Sequence, residues 1–214
     1  MRRGEIAGII DHTCLAPDAG ISEIRRLCRE AVEHGFKSVC VNPIWVEEAS
    51  ENLRDHAPIV CSVVGFPLGA TAAKAWETER AVAAGAGEID MVIPIGHLKQ
   101  GSHNLVHGHI REVVVAAEGR PVKVILETCL LNREEKVAAC LLAVDAGAAW
   151  VKTSTGFSTG GATVEDVRLM AETVGERASV KASGGIRTFG QAVAMVEAGA
   201  ARLGCSRSVQ IVGE

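Results

Sequence analysis

A joint that recurs four times constrains this chain more than any other feature. An Ala-rich amphipathic run ends in Gly, one or two residues follow, and a short apolar segment begins. The copies are AVEHGFKSVCVN at Gly35, AVAAGAGEIDMVI at Gly85, AVDAGAAWVKTS at Gly147 and MVEAGAARLGCS at Gly199. Glycine at such a place supplies the left-handed conformation that ends a helix. The branched or continuously apolar run after it suits a strand buried on both faces. Helix then strand, repeated, marks a parallel α/β architecture.

The helices carry their own start signals. In Ile21 to His34, apolar residues fall at Ile21, Ile24, Leu27, Cys28, Ala31 and Val32, a helical stripe. Asn132 with Glu135 resembles a capping box ahead of Val137, Leu141 and Val144. Thr163 with Asp166, and Thr188, are further N-cap candidates. Strand candidates are Ile9 to Thr13, Ser38 to Asn42, Ile59 to Val64, Glu88 to Ile93, Val122 to Thr128, Ala149 to Thr153, Ser179 to Ala182 and Ala201 to Gly204. Eight such units without a linker predict one (β/α)₈ TIM barrel over residues 1–214. No Gly-x-Gly-x-x-Gly opens the first unit, which disfavours a dinucleotide-binding fold. Ten residues follow Gly204, so the expected C-terminal helix is truncated and the tail short.

Composition narrows the function classes. Aromatic residues make up 3% of 214, and tyrosine is absent. That disfavours antibody-like sandwiches and single-strand nucleic-acid readers, which need aromatic platforms. A net charge of −4 provides no global attraction for polyanions, though a local pocket can still hold a small anion. No apolar run approaches the ~18 residues of a membrane span. The opening MRRGEIAGII lacks the apolar stretch of a signal peptide. Seven cysteines without CxxC spacing read as reduced thiols in a cytoplasmic protein. Neither nucleic acid nor membrane is an expected partner.

Barrel chemistry sits at the carboxyl ends of the strands. Lys123, Lys152, Lys181 and Asp90 interrupt strands that should otherwise be apolar, and are expected to point into the barrel. One reading is a structural ion-pair network. The other is an amine nucleophile, because a second cation and partial desolvation can strip a proton from lysine near neutral pH. Lys152 and Lys181 end neighbouring strands, which suits Schiff-base chemistry on a carbonyl. Thr153-Ser154-Thr155-Gly156, Ser183-Gly184-Gly185 and Gly204-Cys205-Ser206-Arg207 come after the last three strands. Backbone N–H groups of such loops commonly hold phosphate, and Arg187 adds charge.

VKTSTGFSTGGAT (Val151 to Thr163) and VKASGGIRT (Val180 to Thr188) closely resemble the deoxyribose-phosphate aldolase family. So do the segments DHT (Asp11 to Thr13), VCVNP (Val39 to Pro43), GFPLGAT (Gly65 to Thr71), EIDMVI (Glu88 to Ile93) and KVILET (Lys123 to Thr128). The resemblance implies a class I aldolase on a (β/α)₈ barrel. Such an enzyme reversibly cleaves 2-deoxy-D-ribose 5-phosphate to acetaldehyde and D-glyceraldehyde 3-phosphate, with neither metal nor cofactor, as a homodimer. It makes Lys152 the Schiff-base nucleophile, Lys181 the cation that depresses its pKa, and Asp90 the proton donor and acceptor through water. Asp11, Thr13, Lys123 and Thr153 become relay and substrate contacts. Gly156, Gly184, Gly185, Arg187, Gly204 and Ser206 become the phosphate site. The family often ends in a tyrosine that assists enamine protonation; with no tyrosine here, that step is expected to fall on water, Asp90 or another group.

Other signals are set aside. His97, His103, His107 and His109 read as a solvated face rather than a zinc site. Cys40 reads as core, and Trp45, Trp76 and Trp150 as helix-to-barrel packing or a subunit contact.

Overall fold

In the computed structural model, which describes residues 1–213, the four joint glycines all have positive φ: 66° at Gly35, 105° at Gly85, 90° at Gly147 and 113° at Gly199. Each ends a helix and turns the chain into a strand. The strands are β1 (Ile10–Cys14), β2 (Ser38–Val41), β3 (Ile59–Val64), β4 (Glu88–Val92), β5 (Val122–Ile125), β6 (Trp150–Lys152), β7 (Ser179–Ser183) and β8 (Ala200–Cys205). They pair in parallel in chain order, and β8 returns to β1 through Ile10 opposite Leu203. The result is the closed (β/α)₈ barrel that the alternation predicts.

The helices in chain order are α1 (Arg3–Ala7), α2 (Ile21–His34), α3 (Val46–Asn52), α4 (Lys74–Ala83), α5 (Ile95–Lys99), α6 (His103–Ala116), α7 (Arg133–Asp145), α8 (Val164–Val174), α9 (Phe189–Glu197) and α10 (Ser208–Gly213). Helix α2 spans the same residues as its apolar stripe. Asn132 caps α7 with Glu135 reciprocating, Thr188 caps α9 with Gln191, and Thr163 accepts from the Asp166 N–H at the start of α8. Among the described residues β8 is followed by the six-residue α10, whose Ile211 is fully buried.

Strand ends are where sequence and structure part. β5 stops at Ile125 rather than running to Thr128, because Glu127 takes a left-handed backbone (φ 59°) and Thr128–Leu130 wind into a 3₁₀ turn. β6 is three residues long. Trp76 is 62% exposed and so does not pack a helix on the barrel. The Arg202 guanidinium stacks over Trp150 at 5.0 Å, an interaction that holds a cation rather than a helix.

Apolar burial divides into two zones. The larger runs between the outer faces of the strands and the helices, through residues such as Val39, Ile89, Val124, Val151 and Leu203. A small second cluster joins Leu15, Cys40, Cys61 and Val63, with Phe66 against it. Cys40 is thus fully buried and packed, as read from sequence. The barrel interior also holds buried charged residues: Asp11, Glu88, Asp90, Lys123, Lys152, Lys181 and Arg202.

Candidate active site

Strand alternation aims successive side chains to opposite faces, so residues two apart share one face. In β4 this sends Glu88 and Asp90 inward together, and in β1 it sends Asp11 inward with Thr13 above it. Parallel register sets Asp90 beside Lys123 and Lys152 beside Lys181. A bulge between Val180 and Lys181 then brings Lys181 opposite Arg202.

The result is a single buried network. Asp90 Oδ2 accepts from Lys152 Nζ and Lys181 Nζ, each at 2.7 Å. Its Oδ1 accepts from Lys123 Nζ at 2.8 Å and from the Cys61 thiol at 3.1 Å. Lys181 also meets Asp11 at 2.5 Å, and Lys123 meets Glu88 at 2.7 Å. Arg202 closes the floor on Asp11 at 2.7 Å and Glu88 at 3.1 Å. Four cations therefore face three carboxylates in a space that water barely reaches.

Burial works against the Asp90 charge, yet Lys123, Lys152 and Lys181 outweigh it and hold its carboxyl well below the ordinary range. Asp11 is lowered in the same way, chiefly by Lys181 against burial. Burial likewise opposes the Lys181 and Lys123 ammonium groups, but Asp11 and Asp90 keep the first cationic, and Asp90, Asp11 and Glu88 the second. Among the described residues one side-chain group has metal-ligand spacing, Cys40 with Cys61 and Asp90. Its carboxylate is already surrounded by three lysine ammonium groups, an environment that disfavours a further cation.

Above the network opens a cavity of about 600 Å³, within the usual size for a small-molecule site. Among the described residues Lys152 is the only lysine on its wall, which Thr13 also lines. Asp90, Asp11, Lys123 and Lys181 are fully buried beneath. The cavity wall also includes Gly156, Gly184, Gly185, Arg187, Gly204 and Ser206, together with Arg207. Thr153 is not on this wall: its hydroxyl donates to the Ser183 carbonyl at 3.0 Å and accepts from the Ser183 N–H. Being next to Lys152 in sequence, it turns to the opposite side, where it joins β6 to β7.

The glycine loops are pressed together. A Cβ on Gly161 would lie 2.2 Å from the Gly184 carbonyl oxygen, and Gly184 itself has φ +88°. Ala162 N–H donates to the Ser183 and Gly184 carbonyls, tying the two loops. Glu127, held in its left-handed conformation, accepts from the Thr155 hydroxyl and amide, and Thr155 Oγ1 accepts from Phe157 N–H at 3.0 Å. Gly161→Ala is expected to cost about 1–3 kcal/mol of stability through overpacking. Because it displaces the phosphate-type loops, it should also weaken inorganic phosphate binding, as read by calorimetry on the folded variant.

Sequence reading missed Glu88, Arg202 and Glu127. A signal existed for the first two, since Glu88 is two residues from Asp90 and Arg202 two from Gly204, each pair on one strand face. Glu127 gave no comparable signal, because its role depends on a local left-handed turn.

The model of the DeoC/LacD family of aldolases matches residues 6–209. A deoxyribose-phosphate aldolase from Carboxydothermus hydrogenoformans is 59% identical, over 97% of this chain and 94% of its own length. A candidate deoxyribose-phosphate aldolase structure from Coccidioides immitis superposes with TM-score 0.97 at 44% identity, covering 100% of this chain and 86% of its own. The deoxyribose phosphate aldolase of Aeropyrum pernix, described as a tetramer, gives TM-score 0.92 at 34% identity, covering 99% and 91%. A charged barrel interior with one lysine reaching the cavity, a family match across nearly the whole chain and near-superposable relatives lead to one statement: the chain belongs to the DeoC/LacD family of aldolases.

Proposed function

We propose that this aldolase reversibly cleaves 2-deoxy-D-ribose 5-phosphate to acetaldehyde and D-glyceraldehyde 3-phosphate, with Lys152 as the Schiff-base residue. The observation that carries this reading is the position of Lys152: the one network lysine on the cavity wall, with Asp90 2.7 Å behind it. Lys152 belongs to a network of four basic and three acidic side chains, and its nitrogen is the one that faces the cavity.

In the cleavage direction the Lys152 nitrogen adds to the aldehyde carbon of the open-chain sugar. Water leaves from the carbinolamine to give an imine, the electron sink for carbon–carbon cleavage. Deprotonation of the C3 hydroxyl breaks the C2–C3 bond, D-glyceraldehyde 3-phosphate departs, and the electron pair stays as an enamine. Protonation at C2 and hydrolysis release acetaldehyde and restore the amine. Asp90 is buried and fully engaged, so its part is confined to the proton exchanged with Lys152 Nζ as the imine forms and hydrolyses. Water admitted to the cavity takes the C3 hydroxyl proton and returns one to C2. The glycine loops with Arg187, which line the same cavity as Lys152, hold the phosphate.

Release of glyceraldehyde 3-phosphate, read by a coupled dehydrogenase assay, tests the reaction; no release at millimolar substrate overturns it. Lys181→Leu removes the neighbouring cation. It should lower kcat more than it raises KM, and move the rising limb of the pH–rate profile to higher pH. An unmoved limb contradicts the role given to Lys181.

The same reading treats residues 1–214 as one aldolase domain acting in the cytoplasm as a homodimer. No helix of the described residues is long and apolar enough to cross a membrane. Ile44, Leu68 and Trp76, exposed by 79%, 75% and 62%, offer apolar surface for a second copy. Light scattering on the purified protein decides between monomer, dimer and a larger assembly.

A further inference from the structure

Of the Asp11-His12-Thr13 segment, the aldolase chemistry uses the first and last residues and leaves the middle one unexplained. Alternation turns His12 away from the charged network, outward between α2 and α10. Although it touches the cavity, it is 4% exposed, and both ring nitrogens are engaged. Nε2 lies 2.8 Å from Glu30 Oε2 on α2, and Nδ1 lies 2.9 Å from the Ser208 hydroxyl at the start of α10. Ser208, fully buried, also reaches the Cys205 carbonyl at 2.9 Å. The ring is packed at 5.0 Å against Phe36, so it has little freedom to leave this position.

The line Glu30–His12–Ser208–Cys205 ends on the backbone of the loop that carries Gly204 and Ser206 to the cavity. In a trans peptide the C=O and the next N–H point in opposite directions. Holding the Cys205 carbonyl toward Ser208 therefore turns the Ser206 N–H the other way. Such an N–H must be aimed before an anion arrives if it is to contribute without reorganisation.

We propose that His12 is a positioning residue for the anion-binding loop after β8, acting through Ser208 and braced by Glu30. It touches neither the reacting carbonyl nor Lys152. The proposal deepens the phosphate end of the proposed aldolase site and rests on that reading for the identity of the sugar, but not for the presence of a phosphate.

Two variants separate positioning from general stability. His12→Phe keeps the ring packing and removes both hydrogen bonds, while Ser208→Ala removes the link to the loop together with the His12 Nδ1 contact and leaves the His12–Glu30 pair. Both are expected to raise KM for 2-deoxyribose 5-phosphate about tenfold, equivalent to about 1.4 kcal/mol, with kcat changed less than about twofold. KM for unphosphorylated 2-deoxyribose should stay within about twofold of the parent. His12→Asn, whose amide can replace Nδ1 toward Ser208, should recover most of the loss.

Inorganic phosphate supplies a second readout that does not need turnover. It should raise the melting temperature of the parent, and roughly tenfold more should be needed for the same shift in Ser208→Ala. If the parent binds phosphate in this way but cleaves no sugar, the functional reading fails and the positioning role stands. Equal phosphate response in parent and Ser208→Ala overturns the positioning role, as does an equal loss on phosphorylated and unphosphorylated substrates.

Discussion

Lys152→Ala is expected to lose about 10⁴-fold or more in kcat, the scale seen when a covalent nucleophile is removed, while the protein stays folded. The second half of that statement is as informative as the first. Lys152 sits at the top of the network at 3% exposure, bonded only to Asp90 there. Without it, Lys123, Lys181 and Arg202 face Asp11, Glu88 and Asp90, three charges against three. Removing one partner of a buried ion pair normally costs several kcal/mol because a charge is stranded. Here the loss relieves an excess instead, so urea denaturation should place Lys152→Ala within about 1 kcal/mol of the parent. Lys152→Arg should be inactive too, since a guanidinium keeps its proton at any accessible pH. A structural lysine would give the opposite pattern: near-normal kcat in the alanine variant and a large fall in stability.

Asp90→Asn is the complementary case, and its largest effect is expected on stability. Its two carboxylate oxygens meet three ammonium groups and a thiol, all buried. The amide keeps the shape but removes the charge and presents N–H donors to cations. A loss of about 3–5 kcal/mol is expected, the usual range for stranding buried charge, and activity falls with it because Lys152 loses its partner. The sign of the shifts sets the pH dependence. Asp90 and Asp11 have carboxyls held below their ordinary values. Their stabilisation is complete above the unfolded pKa near ~4 and is lost as pH falls toward the folded values. Lys123 and Lys181 are shifted the other way, so their share persists below the ordinary lysine value and is lost only at strongly alkaline pH. Urea midpoints of the parent should therefore fall steeply between about pH 5 and pH 2, and those of Asp90→Asn should fall less over the same interval. Parallel curves would contradict the assignment of Asp90 as the hub.

The helix layer was legible because its signals are local. Asn132, Thr163 and Thr188 announce helix starts through a bond to the residue three positions on, and the joint glycines announce the ends. Charged residues inside apolar strands were legible for a similar reason, since a lysine in β6 or β7 cannot face the helix layer. Thr153 was misplaced as a substrate contact because motif proximity ignores the period of two. One residue beyond Lys152, its side chain is spent on Ser183. What remained hidden depends on contacts far apart in the chain or on turns without a composition signal. His12 meets Ser208 across 196 positions, and Glu127 gains its role only because β5 leaves the sheet early. The short helices α1 and α5, five residues each, were likewise too brief for periodicity to register.

The covalent role of Lys152 is the central claim, and trapping tests it most directly. The active protein is incubated with acetaldehyde, reduced with borohydride, and examined by intact mass and peptide mapping. A single reduced ethyl adduct on the peptide bearing Lys152, absent from Lys152→Ala, is the predicted result. An unmodified active protein, or an adduct on Lys181 or Lys123 in its place, would contradict it.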